Sequence, residues 1–230
     1  MSTRRTAMTV ALGASLTMLG AGIASAETPV TEPATFTSAF TAMATPDQVL
    51  NADGVPTPGQ PGATGSFTFR INSDQDIICY DISLNGVSGD YMSPAKTATH
   101  IHQAAIGAAG PPRIAFPNPT PVGDGPRTSN GCLQGPFTTG VVTNGADTGT
   151  GFSLAALEAN GAGFAADSHT TQFVAGAVRG QLTPIPVGGI ATGGGGSATE
   201  SNSGPAVAAV GIAALLGAGL IARRRTMAQS

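Results

Sequence analysis

The chain has 230 residues, which allows one medium domain with appendages or two small ones. Charged residues make up only 10% and the net charge is −3, so neither a nucleic-acid partner nor a polybasic membrane surface is indicated. With 33 glycines, 17 prolines, no tryptophan and 5% aromatic residues, the composition suits short strands and many turns around a modest core, and excludes a long helical bundle.

Residues 1–26 have the layout of a secretory signal peptide. Arg4 and Arg5 supply the positive region, Ala7 to Ile23 is apolar and small, and Ala24-Ser25-Ala26 fits the small-x-small cleavage rule, making Glu27 the first mature residue. Paired arginines also open twin-arginine signals, but Ser2-Thr3-Arg4-Arg5-Thr6-Ala7 lacks the rest of that pattern, which points to the general secretory route. Residues 27–62 are rich in Thr, Ala and Pro. A short helix over Ala39 to Leu50 is interrupted by Pro46, so the segment reads as flexible.

The pattern sharpens at Ala63. Phe67, Phe69 and Ile71 alternate with polar residues, and after the turn Asn72-Ser73-Asp74-Gln75 the residues Ile78, Tyr80, Ile82 and Leu84 do the same. Period-two alternation on both sides of a turn predicts a β-hairpin, closed by Asn85-Gly86-Val87-Ser88-Gly89. Asp74 and Asp76 read as turn residues and Asp90 as solvated.

Ala95 to Ala104 holds two of the three histidines of the chain, His100 and His102, one residue apart. On an extended strand both point to one face. Arg113 to Phe116 is a short apolar piece, and residues 117–136 read as a long loop carrying Cys132. Two cysteines in an exported chain favour a bridge over free thiols, so Cys79 and Cys132 are paired here as a disulfide that ties this loop down. Cys79 lies on the strand face opposite Ile78 and Tyr80, which puts the bridge on the far side of the sheet. Ser153 to Asn160 reads as one short helix, capped by Ser153, with Leu154 and Leu157 on one face and Gly161 as its stop. His169 follows in Ala165-Ala166-Asp167-Ser168-His169-Thr170, with Asp167 on its side of an alternating strand, and Ala177-Val178-Arg179-Gly180-Gln181-Leu182 closes the domain.

In this order, the opening hairpin with its Gly-Val-Ser-Gly turn, the His-x-His strand, the helix, the His169 element and the Arg179-Gly180-Gln181-Leu182 ending resemble the CHRD domain, a module of chordin and of secreted bacterial proteins. The resemblance covers Ala63 to Leu182. Ala166 and Ser168 depart from it, standing where the family usually has larger β-branched residues. It implies an antiparallel Ig-like or Greek-key β-sandwich with one short helix, and it implies no established activity.

Three histidines from two elements offer a three-nitrogen site for copper or zinc, made by His100, His102 and His169 with Asp167 nearby. The His-x-His strand is similar to the copper-binding one of Cu,Zn superoxide dismutase. That enzyme needs further histidines, one of them bridging two metals, and this chain has none to spare, so dismutase activity is not expected. The plainer reading has the histidines hydrogen-bonding one another, backbone carbonyls or threonines such as Thr170. Arg179 reads as a strand ion-pair or surface residue. No Gly-x-Ser-x-Gly before a helix and no P-loop is present, so no catalytic residue is assigned and the chain is read as a non-enzyme.

Residues 184–204 form a Gly/Ser-rich tether. Within 205–225, Ala206 to Ala222 is uncharged and apolar and is followed by Arg223-Arg224-Arg225. As a helix this run spans roughly 26 Å, and the arginines mark its cytoplasmic end. A plain transmembrane anchor and a cell-wall sorting signal both fit, the latter without the usual Leu-Pro-x-Thr-Gly, since Ile190-Ala191-Thr192-Gly193-Gly194 is only a variant. The expected protein is therefore exported and held at the membrane or wall. It carries one sandwich domain over 63–183, which serves as a binding, adhesion or structural module for an unknown surface ligand, with metal binding as the alternative.

Overall fold

The computed structural model describes residues 27–123 and 125–188. Among them the chain runs through β1 (Thr28–Val30), β2 (Ser38–Ala44), β3 (Thr64–Asn72), β4 (Ile77–Asn85), β5 (Thr99–Gln103), β6 (Pro112–Phe116), β7 (Arg127–Gln134), β8 (Val142–Thr143), β9 (Ala146–Asp147), α1 (Leu154–Ala159), β10 (Phe164–Ser168), β11 (Val178–Gln181) and β12 (Thr183–Ile185). Strands β1-β7-β4-β3-β2-β12 make a six-stranded sheet, β11-β10-β5-β6 a four-stranded one, and β8-β9 a small ribbon. All the pairings are antiparallel. The mainly β architecture with one short helix agrees with the sequence reading.

The alternation over 67–84 does what its period dictates. Phe67, Phe69, Ile71, Ile78, Ile82 and Leu84 are all fully buried, in one core shared with Ile101, Ile114, Phe116 and Phe164 of the four-stranded sheet. Phe116 joins the two layers: its ring lies 5.2 Å from Phe69 and 5.0 Å from Tyr80. Aromatic pairs at such separations add to the area term. Helix α1 also forms as expected. The Ser153 hydroxyl accepts from the Ala155 N–H, and Leu154 and Leu157 are buried.

Two expectations are corrected. Residues 27–62 are not a flexible lead-in: β2 stands between β3 and β12, β1 pairs with β7, and Phe40, Ala42 and Ala44 belong to the core. Nor is there a helix over Ala39 to Leu50; only a single 3-10 turn follows, at Pro46–Gln48. The inward residues of β2 are mostly alanines, which weakens the hydrophobic period. β11 passes close by, and a Cβ on Gly180 would meet the Met43 carbonyl oxygen at 2.6 Å. The second correction concerns 117–136, which contains the eight-residue strand β7. Its sequence, Arg-Thr-Ser-Asn-Gly-Cys-Leu-Gln, has almost no apolar alternation, and it is held by its ladder to β4 instead.

Cys79 and Cys132 form the predicted disulfide. They stand directly opposite each other in the β4–β7 ladder, and the bridge packs with Ile77, Val30 and Phe36 on the outer side of the larger sheet. It therefore joins two strands and does not tether a free loop. Among the described residues no helix is long and apolar enough to cross a membrane. The expected signal peptide at 1–26, the expected anchor at 205–225 and most of the expected tether lie outside the described residues.

Replacing Phe116 by Ala is expected to lower unfolding stability by about 3–5 kcal/mol, the cost of truncating a fully buried aromatic side chain, measured by urea denaturation. The Cys79→Ser, Cys132→Ser double variant is expected to lose roughly 4 kcal/mol, the chain-entropy value for a loop of this length, in the same assay under non-reducing conditions.

Candidate metal centre

The site grows from the outer face of the four-stranded sheet. On β5, Ile101 points into the core, so its neighbours His100 and His102 point outward. On β10, Phe164 and Ala166 take the core side and Asp167 the outer side. The β5–β10 register sets Asp167 directly opposite His100 and Ala165 opposite His102, and directly opposite residues share a face. The backbone continues for one more residue beyond β10. The His169 N–H donates to the Ala98 carbonyl at 2.9 Å, which brings the His169 ring back onto the side of Asp167. The β5–β6 register also shifts between Ile101, opposite Ile114, and His102, opposite Pro112. Such irregularities re-aim side chains at the rim of a sheet.

One nitrogen of each ring faces a backbone carbonyl. His100 Nε2 lies 2.6 Å from the Thr97 oxygen, His102 Nδ1 2.8 Å from that of Gly110, and His169 Nδ1 2.9 Å from that of Val174. Carbonyl oxygens only accept, so each of these nitrogens carries the proton. In the neutral rings the remaining nitrogens are bare lone pairs, and all three turn toward one carboxylate. His100 Nδ1 is 3.5 Å and His169 Nε2 3.2 Å from Asp167 Oδ1, while His102 Nε2 is 3.2 Å from Oδ2. These three nitrogens and Asp167 Oδ1 have no hydrogen-bond partner. One ligand atom from each of the four residues lies within 4.8 Å of every other.

Burial makes this arrangement demanding. His100 and Asp167 are only 1% and 2% exposed. Burial works against the charge of Asp167, yet the charges of His102 and His169 outweigh it and hold the carboxyl well below its usual range. For His169 burial disfavours the cation, but the negative charge of Asp167 prevails and pushes the ring up. His100 goes the other way: its burial outweighs Asp167 and pushes it down. A cavity of about 250 Å³ covers the cluster, with Leu50, Pro94, Val141 and Val174 among its walls.

Protons satisfy this cluster poorly. A proton on one ring gives one ion pair and leaves two lone pairs unanswered. Protons on all three would put three cations around one anion in a buried site, which is strongly disfavoured. A single cation at the centre answers all four groups at once. The outward N–H bonds to carbonyls are also the usual second shell of metal-bound histidines, fixing tautomer and ring orientation.

The sequence reading named His100, His102, His169 and the neighbouring Asp167, and the fold brings all four together. Thr170 does not bond the rings, and the rings face Asp167 instead of bonding one another. Backbone carbonyls are the partners that the plainer reading included, and those of Thr97, Gly110 and Val174 take the role; which carbonyls do so has no residue-type signature. Gly110 carries one usable signal: a Cβ there would overlap the Gln103 carbonyl oxygen, so glycine is needed for the close approach that serves His102. Arg179 is corrected. It is buried at 6% exposure, lines the same cavity and makes no ion pair among the described residues.

The CHRD domain family model matches residues 40–182, more than half of the chain, and the chain belongs to that family. The match begins inside β2, in accord with a domain that takes in this strand. No curated protein and no solved structure matches the chain.

In long-range ¹H–¹⁵N spectra of the metal-free protein at mildly alkaline pH, His100 is expected as the Nε2–H tautomer, and His102 and His169 as Nδ1–H. The opposite tautomer at any of the three would contradict the orientation given by the carbonyls.

Proposed function

We propose that this CHRD domain is a metal-binding module displayed outside the cell. It holds one copper or zinc ion through His100 Nδ1, His102 Nε2, His169 Nε2 and the Asp167 carboxylate. The observation that carries this reading is the set of inward nitrogens left bare around one buried carboxylate. Their spacing is of the right order: for metal–ligand bonds of 2.0–2.1 Å a tetrahedron has edges of about 3.3 Å, against 3.5 and 3.2 Å from Asp167 Oδ1 to His100 Nδ1 and His169 Nε2 and 3.2 Å from Oδ2 to His102 Nε2, and separations within 4.8 Å among the four ligand atoms overall. Imidazole with a single carboxylate suits zinc and copper better than magnesium or calcium, which favour all-oxygen sites. The rings are held by their outer hydrogen bonds to carbonyls, and a small inward movement of the ligand atoms closes the site around the ion.

Display rests on the chain ends. A cleavable export signal, a Gly/Ser tether and an apolar tail with three arginines support a domain held at the membrane or wall, facing outward. The disulfide fits an oxidising compartment. No nucleophile–base pair accompanies the cluster in the sequence, so the activity proposed is binding and not catalysis. A role in adhesion would be exercised by other surfaces of the same domain.

The mature chain, purified without a histidine tag and titrated with copper and with zinc by calorimetry and metal analysis, is expected to bind one equivalent. Asp167→Asn and His102→Ala are expected to weaken binding by more than about 100-fold, and Gly110→Ala by about 10- to 100-fold, the range for loss of an outer-shell partner. Absence of stoichiometric binding, with the histidine variants merely less stable, would leave the cluster a structural one.

A further inference from the structure

The cavity over the cluster has a second charged wall. Arg179 stands on β11 directly opposite Asp167 on β10, so both side chains rise from the same face of the sheet. Asp167 is committed to the three histidines, and no carboxylate among the described residues lies within ion-pair distance of Arg179. The guanidinium makes one hydrogen bond, from Nη2 to the Ala108 carbonyl at 2.9 Å, leaving most of its five donors without a protein acceptor. Its backbone is fixed: the Arg179 N–H donates to the Thr45 carbonyl at 3.1 Å, and the Thr45 N–H to the Arg179 carbonyl at 2.9 Å. The charge is felt within the cluster, since it opposes protonation of His169.

Charge balance then identifies what is missing. A divalent ion held by three neutral imidazoles and one carboxylate keeps one net positive charge. Arg179 adds another, in a cavity whose other walls are neutral and mostly apolar: Leu50, Asn51, Ser93, Pro94, Val141 and Val174. Two uncompensated positive charges at low dielectric are costly, and an anion shared between them removes that cost. Among the three histidines, the side chains of His102 and His169 are the more exposed, at 14% and 10% against 2% for His100, so the metal is reached from their side. The cavity, about 250 Å³, admits an ion of a few heavy atoms.

We propose that this cavity is a small-anion site, in which an anion of a few atoms adds to the metal as an outside ligand while Arg179 supplies the counter-charge. The proposal rests on the metal reading above and names the class of ligand the centre accepts. Arg179 is thus a binding residue of the centre, acting on the exogenous ligand and not on the ion.

The test is an azide titration of the copper(II)-loaded mature chain, followed by the azide-to-copper charge-transfer absorption and by electron paramagnetic resonance. The expected result is saturable one-site binding. Arg179→Gln is expected to weaken azide by at least about tenfold, the scale of one hydrogen bond to a charged group, with copper stoichiometry unchanged and copper affinity no lower than in the parent. Arg179→Met, which suits the apolar walls, is the second variant and should do the same. Copper uptake without any azide band, or equal azide affinity in the parent and in a copper-loaded Arg179 variant, overturns the anion site and leaves the metal reading standing. Failure of the parent to take up copper overturns the anion site, and failure to take up zinc as well overturns the metal reading.

Discussion

The contact on which the site depends is the cross-strand pair of His100 on β5 and Asp167 on β10. It puts a carboxylate at the middle of the outer face of a four-stranded sheet, beneath covering loops, where it is only 2% exposed. Everything around that carboxylate follows from the need to answer its charge. His102 lies two residues from His100 on the same face, His169 two residues from Asp167, and Arg179 directly across the next ladder. Strand alternation and antiparallel register, with the His169 N–H bonded to the Ala98 carbonyl just beyond β10, bring five chemically active side chains to one place.

The other face of the same strands performs the opposite task. Ile101, Phe164, Ala166 and Val178 alternate with the site residues and fill the core against the larger sheet. A one-residue slip of β5 or β10 would exchange the two faces, burying histidines against Phe69 and exposing Ile101. The hydrophobic core therefore specifies the register of the site, which explains how a domain with few large side chains holds a polar cluster so firmly. Phe116, packed between Phe69 and Tyr80, secures the layer that carries the histidines.

A second shell of backbone carbonyls does the remaining positioning. Thr97, Gly110 and Val174 come from three separate loops, and each presents its oxygen to one ring. Their common effect is to turn all the free nitrogens inward. A purely structural histidine cluster has no need for this, since rings could equally bond one another or Asp167 through their protons. The uniform orientation is what the proposed cation site rests on, and the buried Arg179 lies on the same wall.

The sequence by itself determined the family, the sandwich class, the β3–β4 hairpin, the capped helix, the disulfide and the three histidines with Asp167. Each of these leaves a mark in residue type and spacing: period-two alternation, a serine cap, two cysteines in the whole chain, two histidines one residue apart. Tertiary structure alone decided the rest. Strand β2 escaped notice because Ala42 and Ala44 among its inward residues blunt the hydrophobic period, and β7 because it is held by backbone pairing to β4, to which side-chain pattern is blind. The convergence of His169 with His100 and His102, the orientation of the rings by carbonyls and the burial of Arg179 beside them all depend on ladder register between distant segments. Register is set by packing across the whole core, and no local stretch of sequence encodes it.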